Sequence, residues 1–123
     1  MIINHSKFTL SVIIPCYNEI NTIEEVIKKV KNTSIESKQI IIVDDFSTDG
    51  TREFLKSLED NSILVIFQNR NQGKGSAIAK GINFATGEIS IIQDADLEYD
   101  PNEYQKLINP ILDNKADVVF GSR

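Results

Sequence analysis

Asp94 and Asp96 close an apolar run, Ile91-Ile92-Gln93-Asp94-Ala95-Asp96, and stand one residue apart. In an extended segment that spacing turns both carboxylates the same way. At about 4 Å in an effective dielectric of about 20, two such charges repel by roughly 4 kcal/mol. A fold tolerates the pair if one proton is shared or a cation lies between them. Paired hard oxygen ligands at a strand end suit Mg²⁺ or Mn²⁺, ions that commonly carry substrate phosphates as well. A solvated Asp-rich turn is the plain alternative. Other side chains divide the remaining chemistry. Tyr17 can stack on a flat base, and Asp45 can accept hydrogen bonds from base N–H groups or ribose hydroxyls. Lys74 and Arg123 can neutralise phosphate charge. Together these parts describe a nucleoside diphosphate pocket with a Lewis acid at the leaving group.

Each part also has a structural reading. Tyr17 can be a packing residue, and Asp44, Ser47 and Asp49 can serve caps and turns. Gly73 and Gly75 permit a left-handed turn, Lys74 suits a solvated surface, and Glu98 suits a loop. The lone Cys16, at the end of an apolar strand, reads as a small buried hydrophobe rather than a reactive thiol. His5 lies in a polar stretch and receives no catalytic role.

The elements that must position these residues alternate regularly. Apolar runs predict strands over Leu10 to Ile14, Gln39 to Val43, Ile63 to Phe67, Glu88 to Ile92 and Asp117 to Phe120. Thr22-Ile23-Glu24-Glu25 has the spacing of a capping box, and Ile23, Val26, Ile27 and Val30 follow at helical intervals. Asp49-Gly50-Thr51 opens a second helix that buries Phe54, Leu55 and Leu58. The turn from Asn71 to Gly75 leads into a third helix through Phe84, with Gly87 as its stop. Asp100-Pro101 starts a fourth helix carrying Tyr104, Leu107, Ile108, Ile111 and Leu112, which Pro110 should bend or loosen. Strands this rich in Val and Ile imply burial on both faces. The fold class is therefore α/β, a Rossmann-like, mostly parallel sheet with helices on both faces. Ligands of such sheets bind beyond the carboxyl ends of the strands, where the polar turns of this chain collect.

Bulk properties bound the rest. At 123 residues, 41% hydrophobic and 25% charged, the chain is one ordinary globular unit. A net charge of −5 argues against a nucleic-acid partner. One cysteine allows no internal disulfide, no signal peptide is evident and no apolar run approaches roughly 20 residues, so a cytoplasmic setting is expected. The chain stops at Gly121-Ser122-Arg123 directly after a strand, so further parts of the domain are expected outside it. An exposed last strand also offers an edge for pairing between copies.

Two other classes fail on placement. Gly73-Lys74-Gly75-Ser76 has a faint look of a P-loop, but the glycine needed five residues before the glycine-lysine pair is Gln68. A phosphorylation-switch receiver places its acidic pair after the first strand and a phosphoacceptor Asp after the third. Here the pair follows the second strand and Asn69 follows the third. A non-catalytic nucleotide-binding or scaffold domain stays as the alternative.

Four segments carry a family likeness: Ser11-Val12-Ile13-Ile14-Pro15-Cys16-Tyr17-Asn18-Glu19, Val43 to Thr51, Asn69-Arg70-Asn71-Gln72-Gly73-Lys74-Gly75, and Asp94-Ala95-Asp96. In this order and spacing they resemble the nucleotide-binding half of family-2 inverting glycosyltransferases with the GT-A fold. Asp94 to Glu98 and the terminal Gly121-Ser122-Arg123 look most like polyprenyl-phosphate sugar synthases of the dolichol-phosphate mannosyltransferase type. The resemblance implies sugar transfer from a UDP- or GDP-sugar, with inversion and with Mg²⁺ or Mn²⁺, to a polyprenyl phosphate or a glycan. It implies that Pro15, Tyr17 and Glu19 border the nucleotide, and that Asp45 contacts base or ribose. Lys74 and Arg123 then lie near the donor phosphates. Asp94 and Asp96 form the DXD-type metal motif, with Glu98 as a further oxygen ligand. The whole of residues 1–123 is then the nucleotide-sugar-binding part, without the acceptor-binding part. A parent protein at the cytoplasmic face of a membrane, in cell-envelope glycan synthesis, is the matching expectation.

Overall fold

β-Branched runs buried on two sides dictate the centre of the molecule. The computed structural model describes residues 8–35, 37–96, 100–112 and 119–120. Among them five strands form one parallel sheet: β1 (Leu10–Cys16), β2 (Lys38–Asp44), β3 (Ile63–Phe67), β4 (Ile89–Ile92) and β5 (Val119–Phe120), in the order β3-β2-β1-β4-β5. Register aligns Val12 with Ile40 on one side and with Ile91 on the other. The helices are α1 (Ile23–Lys31), α2 (Thr51–Lys56), α3 (Lys74–Phe84) and α4 (Tyr104–Leu112), the last entered through a 3₁₀ turn at Pro101–Glu103.

Alternation along each strand assigns the two faces. Val12, Ile14 and Cys16 of β1, with Ile40 and Ile42 of β2, pack against Ile23, Val26, Ile27 and Val30 of α1. Leu55 of α2 and Tyr104 and Ile108 of α4 join this layer. Ile13, Ile41, Val43 and Ile92 face the other way, onto Ala77 and Ile78 of α3. Each fully buried aliphatic side chain contributes about 1.5–3 kcal/mol, so the α1 stripe alone secures that helix. Its acidic first turn and basic last turn also complement the helix dipole.

The chain lays β2 and β3 on one side of β1, then returns through α3 to place β4 on the other. That reversal makes the crevice between β1 and β4 the topological switch point, the usual ligand position in open α/β sheets.

Several local expectations need correction. The first two strands extend to Cys16 and Asp44, beyond the apolar runs, because parallel pairing continues to Cys16↔Asp44. The second begins at Lys38 and the fourth at Ile89, a residue earlier and later than expected. The fifth is described from Val119 only. Thr22 does not close a capping box. The carbonyl oxygen of Glu19 accepts from the N–H groups of Thr22 and Ile23, which winds a turn ahead of α1 and rotates the Thr22 hydroxyl away from the helix end. Gly87 does not end α3, which stops at Phe84 with Ala85 already extended. Its role is close approach, since a Cβ there would lie 2.4 Å from the carbonyl oxygen of Thr9. The fourth helix runs through Pro110 to Leu112, after the side chain of Asp100 has capped the 3₁₀ turn at Asn102 N–H.

Candidate active site

The turns after β1, β2, β3 and β4 leave the carboxyl edge of the sheet and enclose one cleft of about 300 Å³. Pro15, Cys16, Tyr17 and Glu19 line it from β1 and its following turn, and Asp45 from the end of β2. Asn71, Gly73, Lys74 and Ala77 contribute from the β3–α3 turn and α3, and Asp94, Ala95 and Asp96 from the turn after β4. The structure thus brings together Pro15, Tyr17, Glu19, Asp45, Lys74, Asp94 and Asp96. Glu98 and Arg123 lie outside the described residues.

The turn after β1 is fixed by the turn after β2. Asn18 adopts a left-handed φ of 53°. Its N–H donates to Ser47 Oγ at 2.9 Å, and its side-chain oxygen accepts from Thr48 N–H at 2.7 Å. Glu19 N–H donates to Thr51 Oγ1 at 3.0 Å, and Ile20 N–H to Asp49 Oδ2 at 3.2 Å. Ser47, Asp49 and Thr51 therefore act as scaffolding, as their cap-and-turn reading implies. Bonds from Thr51 and Ile20 hold the Asp49 carboxyl below its ordinary value, against the opposing effect of burial, the largest single influence.

The adjacent acids of β2 divide between foundation and cleft. Asp44 is fully buried and pairs with Arg52 Nη1 at 2.9 Å, while Ser47 N–H donates to the same oxygen at 3.2 Å. The Arg52 guanidinium also lies 4.8 Å from the Phe67 ring centre and 5.5 Å from that of Phe46. Asp45 accepts from Gln68 Nε2 at 3.0 Å and from the N–H groups of Gln72 and Gly73, each at 2.8 Å. It thus draws the Asn71–Gly73 loop over the cleft. Gly73 reaches this position with a φ of 94°, where a side chain would be strained.

Charge in the cleft is mostly negative. Lys74, from the first turn of α3, pairs with Asp94 at 2.5 Å. It is the only basic residue lining the cleft among the described residues. Burial pushes the Glu19 carboxyl above its ordinary 4.5, and the charges of Asp96, Asp49 and Asp94 add to it. Burial likewise pushes the Cys16 thiol far up, with Asp44, Glu19 and Asp49 adding to the effect, which removes it as a nucleophile.

Among the described residues no three of His, Cys, Asp and Glu gather closely enough to hold a metal by themselves. The donor set nevertheless suits a hard divalent cation. Mg²⁺ commonly takes only one or two carboxylates and completes its shell with water and substrate phosphates. Asp94 and Asp96 would supply those carboxylates, and the raised Glu19 marks an acidic cleft whose charge one lysine does not balance.

Residues that hold the cleft's acids went unrecognised in the sequence. Thr22 Oγ1 lies 2.5 Å from the carbonyl oxygen of Ala95, and Tyr104 OH donates to Gln93 Oε1 at 2.7 Å in the buried layer. The one available signal was Gln93, a polar residue closing an apolar run.

Comparison with known proteins supplies the family. The model for "Glycosyl transferase family 2" matches residues 11–123. The chain is 36% identical over 116 residues to a dolichol-phosphate mannosyltransferase of Pyrococcus furiosus, covering 93% of this chain and 33% of that protein. It is 36% identical over 105 residues to an undecaprenyl-phosphate 4-deoxy-4-formamido-L-arabinose transferase of Proteus mirabilis, covering 80% and 32%. The chain therefore spans about a third of the length of these curated relatives. Its fold matches a mannosyltransferase of Pyrobaculum calidifontis, solved with GDP-Man and Mn²⁺, at a TM-score of 0.68 and 29% identity, over 80% of this chain and 30% of that one. With the parallel sheet, the switch-point cleft and a family match across nearly its whole length, this chain belongs to glycosyl transferase family 2.

Proposed function

We propose that the chain is the donor-binding part of a metal-dependent, inverting glycosyltransferase that takes a UDP- or GDP-sugar and delivers the sugar to a polyprenyl phosphate. The observation that carries this reading is the convergence of Tyr17, Asp45, Lys74, Asp94 and Asp96 on one switch-point cleft. Tyr17 is 44% exposed and offers a face to the base. Asp45 shapes the loop that borders the nucleotide and keeps lone-pair capacity for a further donor. Lys74 supplies positive charge to the phosphates. Asp94 and Asp96 would hold Mg²⁺ or Mn²⁺, and the bound ion supplies Lewis acidity at the departing diphosphate. The mannosyltransferase solved with GDP-Man and Mn²⁺ supports both the donor class and the ion. The two polyprenyl-phosphate-linked relatives support the acceptor. An anionic phosphate acceptor needs no base to remove a proton, which suits a site whose own acids serve the donor. No helix among the described residues is long and apolar enough to cross a membrane.

Titration calorimetry with UDP, GDP, CDP and dTDP, each with and without Mn²⁺, tests the reading. One nucleotide is expected to bind with strong Mn²⁺ dependence. Asp96→Ala should lower that affinity about tenfold or more, as loss of a charge-assisted contact does. It should leave the melting temperature nearly unchanged, because Asp96 is exposed. Affinity for none of the four would assign the chain to the scaffold class instead.

A further inference from the structure

Thr22 stands where a threonine ordinarily accepts from the first N–H groups of a helix, yet it makes no such bond. Its hydroxyl instead lies 2.5 Å from the carbonyl oxygen of Ala95 and 3.1 Å from Glu19 Oε2. A hydroxyl has one proton, and the shorter contact takes it. Ala95 is the residue between the two cleft aspartates and is itself buried. Rotation of its peptide would swing Asp94 and Asp96 relative to each other. A second support acts one residue earlier, where Gln93 Nε2 donates to the Asp94 carbonyl oxygen at 3.1 Å. The Thr22 bond therefore crosses the crevice, joining the turn that leads into α1 to the turn after β4.

We propose that Thr22 is a positioning residue, which pins the Ala95 carbonyl across the β1/β4 crevice and so sets how Asp94 and Asp96 present their oxygens to a divalent cation. The proposal rests on the donor-binding reading above. It separates the two components of donor affinity: Thr22 acts on the metal-dependent part and leaves the metal-free part alone.

Thr22→Val keeps the side-chain shape and removes the proton, Thr22→Ala removes both, and Thr22→Ser restores the hydroxyl. GDP and UDP are titrated into each full chain with and without Mn²⁺, and melting is followed in parallel. The expected result is an about tenfold loss of the Mn²⁺-dependent gain in affinity in the valine and alanine variants. Serine should recover it, and the affinity without Mn²⁺ should not change. An unchanged Mn²⁺ gain in the valine and alanine variants overturns the proposal. So does a serine variant as weak as valine, or a parallel fall of the metal-free affinity, which would mark Thr22 as structural only. A wild-type chain that binds neither nucleotide under either condition overturns the functional reading, and this proposal with it.

Discussion

At the scale of single residues, one lysine stands in two relations at once. Lys74 Nζ sits 2.5 Å from Asp94 Oδ1, so it neutralises an oxygen that the proposed divalent ion would take. In the proposed donor complex the same ammonium would be the basic group facing the phosphates. Removing it should therefore have effects of opposite sign. Lys74 is 56% exposed at its side chain, so the pair with Asp94 is solvent-screened and worth at most about 1 kcal/mol. Lys74→Met should accordingly tighten binding of Mn²⁺ alone by about two- to fivefold. It should weaken binding of the nucleotide with Mn²⁺ by about tenfold or more, since charge-assisted contacts contribute about 1.5–3 kcal/mol. Electron paramagnetic titration of Mn²⁺, with and without GDP or UDP, reads both. Equal signs in the two titrations would show that Lys74 does not compete with the ion. Phe46 is strained, with a φ of 70° in a bulky residue, and its ring centre lies 5.5 Å from the Arg52 guanidinium carbon.

At the scale of elements, α3 matters because its first turn delivers Lys74 and Ala77 to the cleft. It can approach the sheet so closely only because of Gly81. A Cβ there would lie 2.6 Å from Ile13 Cγ2 and 3.4 Å from Val43 Cγ2, both on fully buried side chains. Gly81→Ala should therefore cost about 1–3 kcal/mol, as overpacking does. The melting temperature should fall by several degrees, and the Mn²⁺-dependent nucleotide affinity should fall with it as Lys74 shifts. An alanine variant that melts like the wild type would mean that the helix is free to move away at no cost. The elements themselves were legible in the sequence, because Val12-Ile13-Ile14 and Ile40 to Val43 are buried on both faces and leave unbroken apolar runs. Gly81, Gly87 and Thr22 were not, for a common reason. Their roles depend on Ile13, Thr9 and Ala95, which lie far away along the chain. A local pattern reports local competition only, and Thr22 carries a perfectly good local cap pattern that a tertiary acceptor overrides. The cleft was legible for a different reason: the fold puts every loop that follows a strand on one edge, so strand ends mark the site before the strand order is known.

At the scale of the whole molecule, the net charge is −5, so the overall charge does not favour the anionic donor proposed for the cleft. Binding has to come from local groups at the switch point, and those groups rest on strands of unequal security. β1 is buried at all seven positions and paired on both sides, with β2 and β4. β2 is buried from Ile40 to Asp44. β3 lies at the sheet edge, with Leu64 exposed and its other residues only half-buried. Local openings follow burial and pairing, so amide exchange should be graded across the sheet. Amides of Val12 to Ile14 and Ile41 to Val43 should exchange only through global unfolding. Those of β3 should exchange sooner, at a lower free energy of opening. Adding the nucleotide that binds, together with Mn²⁺, should slow the turns at residues 17–19, 71–74 and 94–96 most. It should slow β1 and β2 only by the overall gain in stability, about 2.7 kcal/mol at a hundredfold excess over Kd. Exchange mass spectrometry of the free and loaded protein distinguishes these groups. If loading protects β3 and leaves the turns at β1 and β4 unchanged, the nucleotide sits somewhere other than the crevice where the strand order reverses.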